Sequence, residues 1–114
     1  MTELAQENTP EITEEMQETD KVYTFVRPVQ YEGQEYKEIN LDFDRLTGED
    51  VESCLRQYRA DQKGSSSMYA PETDKAYQAF IVAKAAGVHV GLIRAANAKD
   101  YTRLTLRAQN FLLL

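Results

Sequence analysis

A chain of 114 residues with 13 basic and 19 acidic side chains has the length of one domain and a formal charge of -6. Its one cysteine, Cys54, excludes an internal disulfide and a cysteine-rich zinc site, which makes a cytoplasmic setting the default. No basic segment leading into an apolar run opens the sequence, and no apolar stretch approaches the roughly 20 residues that span a bilayer, so neither export nor membrane insertion is expected.

The charge is unevenly spread. Residues 1 to 20 contain seven acidic and no basic side chains, whereas the remaining 94 carry 12 acidic and 13 basic groups and are close to neutral. With only Leu4, Ile12 and Met16 as sizeable hydrophobes, this leader cannot offset its ordering entropy and is expected to be disordered. Residues 21 to 114 are then the folded domain, long enough to bury roughly 60 to 65% of its unfolded surface.

Val22 to Phe43 reads as a strand pair. Val22-Tyr23-Thr24-Phe25-Val26 precedes a turn near Glu32-Gly33, and Ile39, Leu41 and Phe43 then alternate with polar residues. Pro28 cannot donate to a ladder, so the first strand is expected to lie at an edge or to stop there. A lone hairpin is marginal in water and needs helices to pack on.

Thr47-Gly48-Glu49-Asp50 is a helix start, with Thr47 placed to accept from the backbone of Asp50. Val51, Cys54, Leu55 and Tyr58 follow at one-face spacing. Gly64-Ser65-Ser66-Ser67 is a flexible connection, and Pro71 suits the first position of the next helix. That run, Glu72 to Ala86, sets Tyr77, Phe80, Ile81 and Lys84 on one side and Ala76, Ala79, Ala83 and Ala86 on another. Gly87 suits a carboxyl cap, Val90 to Ala96 a short helix with Leu92 and Ile93 inward, and Asn97 the cap of a last helix with Asp100 three residues on. The whole is an α+β fold: an N-terminal β-hairpin packed on a small bundle of about four α-helices, preceded by the acidic tail.

Catalytic constellations are hard to find in this chain. His89, the one histidine, sits beside a helix break and reads as a solvent-facing or capping residue. Cys54 lies on an apolar stripe and reads as core. Asp42, Asp44, Glu49 and Asp50 lack the spacing of a calcium loop and are better read as strand-end and capping residues. Gly87-Val88-His89-Val90-Gly91 follows a helix and is no dinucleotide fingerprint, and the serines at 65 to 67 have no paired base. The bases are scattered through the sequence without interleaved aromatics, so nucleic acid is not an expected partner. The tyrosines read as half-buried rings with wet hydroxyls. Enzymatic activity, cofactors and metals are not expected.

The last segment has more apolar surface than one core can use. Tyr101, Leu104, Ala108, Phe111 and Leu112 share a helix face, Leu106 and Leu113 lie off it, and Leu114 follows. Leu106, Phe111, Leu113 and Leu114 are therefore the candidate partner-binding residues, with the alanine face of the preceding helix as second choice. The same surplus allows a homo-oligomer when no partner is present.

The acidic leader, the hairpin ending in INLDFDRLTGEDV, the helix running into AKAAGV and the closing KDYTRLTLRAQNFL together resemble the tail assembly chaperone family of tailed bacteriophages and prophages, over roughly residues 22 to 113. The matching positions are Leu46 to Asp50, Ala83 to Gly87, Leu92, Asp100, Thr102 and Asn110 to Leu112, while His89 stands where the family commonly has Pro. The resemblance implies a non-enzymatic protein of the bacterial host cytoplasm, absent from the mature virion, that keeps the tape measure protein soluble during tail assembly. It also implies a longer form, made by ribosomal frameshifting, that reaches the tail tube protein; Phe111 and the following leucines are encodable by a slippery run of uridines. Two other readings are an acidic inhibitor that mimics DNA and a regulatory subunit of an enzyme.

Overall fold

Two antiparallel strands, β1 (Val22–Tyr31) and β2 (Gln34–Asn40), are joined by a two-residue turn in which Glu32 and Gly33 both take positive φ, 49° and 79°. That backbone twists with the strands, and glycine adopts it without a Cβ penalty. The computed structural model describes residues 21–62 and 70–114; the expected disorder of residues 1–20 and the flexible Gly64-Ser65-Ser66-Ser67 connection lie outside them. A 3₁₀ turn (Phe43–Arg45) leads to α1 (Gly48–Gln62), a second 3₁₀ turn (Pro71–Thr73) to α2 (Lys75–Ala86), and α3 (Val90–Ala95) and α4 (Ala98–Leu113) complete the fold. The expected hairpin on four helices is what forms.

β1 lies at an edge of the two-stranded sheet, one of the two outcomes that Pro28 implies, and it does not end there. Thr24 pairs with Glu38 and Val29 with Tyr36, so residues 25 to 28 stand opposite Lys37 alone in a wide bulge. Pro28 sits where the ladder is interrupted, and its missing N–H costs nothing there. β2 stops earlier than the alternation suggests: Ile39 and Leu41 point inward as expected, but Phe43 opens the 3₁₀ turn and is only half-buried.

The helix ends follow local chemistry. Thr47 and Asp50 cap α1 reciprocally: the Asp50 backbone donates to the Thr47 hydroxyl at 3.2 Å and the Thr47 backbone to the Asp50 carboxylate at 2.9 Å. That backbone donor, with smaller help from the Thr47 hydroxyl, Lys84 and Arg45, holds the Asp50 carboxyl below its ordinary value. Val51, Cys54, Leu55 and Tyr58 form the buried stripe of α1, as their spacing requires.

α2 begins later than its sequence pattern implies. Asp74 is extended, interrupting the run from Glu72. Its carboxylate accepts from the Ala76 backbone at 2.8 Å and from the Tyr58 hydroxyl at 2.6 Å, which fixes Lys75 as the first helical residue. The helix is also not two-sided. Every residue from Tyr77 to Ala83 is buried, because α2 packs against α1, α3 and α4 and contacts β2 as well. Ala79 and Ala83 are buried and Ala76 and Ala86 half-buried against the core, so the alanines do not form an open face. Gly87 closes it in the left-handed region, φ 68°, and Arg45 donates to the Lys84 and Ala85 carbonyls.

Asp100 joins the two ends of the domain. Asn97 caps α4 by accepting from the Asp100 backbone at 2.8 Å, but the Asp100 side chain turns away from its own helix into the β1 bulge. Its carboxylate accepts from the Tyr23 hydroxyl at 2.6 Å, the Val26 N–H at 2.9 Å and the Arg27 N–H at 3.2 Å, and the residue is 0% exposed. Burial alone would raise its pKa. The Tyr23 hydroxyl, the two backbone donors and Arg103 outweigh burial and bring it below the ordinary 3.8. Burial, followed by the bond to Asp100, pushes the Tyr23 hydroxyl up from 10.0 to about 12.

Asp100→Asn should therefore lower the unfolding free energy by about 2–4 kcal/mol, and Tyr23→Phe by about 1–2 kcal/mol, in urea titrations near neutral pH. Asp100 stabilises fully above pH 3.8 and loses its contribution as pH falls through the lower folded value; Tyr23 does so fully below pH 10 and loses it as pH rises toward about 12. The native-minus-Asn difference should thus stay flat from about pH 5 to about pH 9 and shrink in acid. An unchanged urea midpoint in Asp100→Asn would contradict this anchoring role.

Candidate functional site

α4 presents three kinds of surface. Inward it buries Asp100, Leu104, Thr105 and Ala108, with Tyr101 and Leu112 half-buried against the core. Outward, Leu106 and Leu113 are each 50% exposed. They lie seven residues, or about 10 Å, apart on a stripe shared with Lys99, Arg103 and Asn110. Phe111 stands between: it is 36% exposed, yet its ring stacks on Phe43 with centroids 5.2 Å apart and planes at 19°. Leu114 follows the helix and is exposed.

Of the four sequence candidates, Leu106, Leu113 and Leu114 therefore face solvent, while Phe111 divides its ring between fold and surface. The alanine face of α2, the second choice, is buried at Ala79 and Ala83 and half-buried at Ala76 and Ala86, so it offers little docking surface. Sequence reasoning missed Val22 and Val26, which are exposed on β1. Their signal was present: in period-two alternation they oppose Tyr23 and Phe25, which are buried. Val26 stands beside the first turn of α4, since its backbone donates to Asp100. All large exposed hydrophobics among the described residues belong to β1, to α4 or to Leu114 directly after it.

The chemistry-bearing residues have structural work. The Cys54 thiol is buried, donates to the Phe80 carbonyl at 3.4 Å and is pushed up to about 11 by burial, which leaves it a poor nucleophile. His89 caps α3, its Nδ1 accepting from the Gly91 N–H at 2.9 Å, with the Tyr31 hydroxyl 3.3 Å away. Gly91 keeps this corner open, because a Cβ there would stand 2.6 Å from that hydroxyl. Tyr23, Tyr58 and Tyr77 are buried, unlike the half-buried rings expected of tyrosine, and the first two hydroxyls bind carboxylates instead of water.

A half-open groove of about 440 Å³ lies where α2 meets α3, lined by Arg45, Gln57, Phe80, Lys84, His89 and Val90 among others. Arg45 is engaged with helix carbonyls and Lys84 lies 3.9 Å from Asp50, so its polar groups do not converge on a common point. Among the described residues, no three His, Cys, Asp or Glu side chains are placed to hold a metal, and no helix is long and apolar enough to cross a membrane. No protein-family model, curated protein or solved structure matches the chain.

The division of α4 is testable by stability. Phe111→Ala should cost about 1–2 kcal/mol through lost stacking and burial. Leu106→Ser and Leu113→Ser should each stay within about 0.5 kcal/mol of native in thermal or urea unfolding. Equal losses at all three positions would mean that Leu106 and Leu113 serve the fold.

Proposed function

We propose that the protein is a phage tail assembly chaperone that binds the tape measure protein through the outer face of α4 and keeps it soluble until tail tube subunits polymerise around it. The observation that carries this reading is the pair Leu106 and Leu113, half exposed on a helix whose opposite face is locked into the core. A long helical partner exposes apolar stripes that aggregate in water, and a small domain with a pre-formed helical ridge covers such a stripe without refolding. Phe111 and Leu114 extend the contact. The near neutrality of residues 21 to 114 disfavours a DNA mimic, which needs acids arrayed on a folded surface.

Co-expression with a phage tape measure protein should give stoichiometric capture and a larger soluble fraction of that partner. Leu106→Glu combined with Leu113→Glu should reduce capture at least tenfold while leaving the melting temperature of the isolated protein within a few degrees of native. Undiminished capture by a folded double variant would move the site off α4. No capture and no gain in solubility, with both proteins well expressed, would sink the chaperone reading.

A further inference from the structure

The outer face of α4 is cationic as well as apolar. The helix has three bases, Lys99, Arg103 and Arg107, and one acid, the buried Asp100, whose carboxylate Arg103 partly balances, so the helix keeps a net positive charge. Arg107 lies over the Tyr23 ring at 5.2 Å, and Arg27 on β1 flanks the same region, its backbone bound to Asp100. A ligand complementary to this face needs apolar side chains at helical spacing with carboxylates around them.

The chain contains one such segment. Residues 1 to 20 have seven acids and no base, and Ile12 and Met16 are four positions apart between Glu11, Glu14, Glu15 and Glu18. This segment joins the domain at Lys21, whose carbonyl accepts from the Leu41 N–H, and Tyr23 lies two residues further on, under Arg107. Its point of attachment is therefore beside α4. From there to Met16 and Ile12 is a reach of up to roughly 17 and 30 Å of extended chain, and all of α4 is only about 24 Å long.

We propose that residues 1–20 are an intramolecular ligand of the α4 face, Ile12 and Met16 covering Leu106 and Leu113 while the leader's carboxylates lie against the bases of α4. This rests on the outer face of α4 being a binding surface, but not on which protein it binds. Exposed ion pairs are individually weak, so the contact gains its population from tethering: an effective concentration in the millimolar range half-fills a site of millimolar affinity. A tape measure segment then displaces the leader at the cost of a few-fold in apparent affinity. The leader would guard the apolar ridge of the unloaded chaperone.

The test is the rate of thiol labelling at Leu113→Cys, and in a second variant at Leu106→Cys, in the full chain. Glu52→Cys on the exposed side of α1 is the reference, and the buried Cys54 is retained. Ile12→Ser with Met16→Ser, or 0.5 M salt, should speed labelling at both α4 positions at least threefold relative to the reference, and the protection should not depend on protein concentration. Equal rates with and without Ile12 and Met16 would overturn the proposal. Protection that grows with protein concentration would also overturn it, by assigning the cover to a second copy. No tape measure protein enters this experiment, so its outcome is separate from that of the capture assay.

Discussion

A carboxylate sealed from water must find its hydrogen bonds inside the protein, and Asp100 finds three of them on β1. Most of the architecture follows from satisfying that charge. Two consecutive N–H groups can converge on one acceptor only where the strand leaves its ladder, so the bulge at residues 25 to 28 and the carboxylate require each other. The first turn of a helix is also where a negative charge is best tolerated, because the helix dipole and the Asn97 cap already favour it. Once Asp100 points into the bulge, the rotation of α4 is set. Leu104 and Ala108 follow it inward, and Leu106 and Leu113 have no choice but to face out.

A second tyrosine–aspartate pair repeats the device. Tyr58 on α1 donates to Asp74 at the head of α2, as Tyr23 on β1 donates to Asp100 in the first turn of α4. In each case a hydroxyl from one element ties the start of a helix elsewhere in the chain, and burial of the ring adds apolar contact to the polar one. These ties matter in a small domain, where a single modest core leaves little surplus stability. They also specify helix starts to the residue, which apolar packing alone does not.

Much of this fold was legible because it is local. The Glu32-Gly33 turn, the Thr47 and Asn97 caps, the Gly87 terminator and the inward stripe of α1 depend on residues within a few positions of one another. The rest depends on partners far along the chain. Asp100 reads as an ordinary first-turn acid until Tyr23, 77 residues earlier, is placed beside it. Pro28 reads as an edge position or a strand end, and only the bulge shows where its missing donor is accommodated. The late start of α2 needs the Tyr58 bond to Asp74, and its burial on all sides needs three neighbouring helices, whereas an amphipathic reading allows for one. At the candidate site, the excess of hydrophobes on α4 was visible in its spacing. That Phe111 is partly consumed by Phe43, and that Val26 stands at the same end of α4 as Asp100, was not.

The surface that results is unusual in its economy. Had Leu106 and Leu113 been polar, α4 would keep its inward packing, its cap and its buried carboxylate, so the fold that turns these positions outward does not require leucine at them. Exposed leucines add an aggregation hazard that selection for stability alone would remove. Their place on a helix that also carries Lys99, Arg103 and Arg107 fits a face that is covered in use. The opposite charge sits in the first 20 residues, which is the complementarity that the proposed contact would use. The proposed chaperone role sets two demands that conflict in a bare domain: a ridge sticky enough to hold its client, and a free state that does not bind itself. The proposed leader contact would reconcile them, because it need only be poorer than the client and better than water.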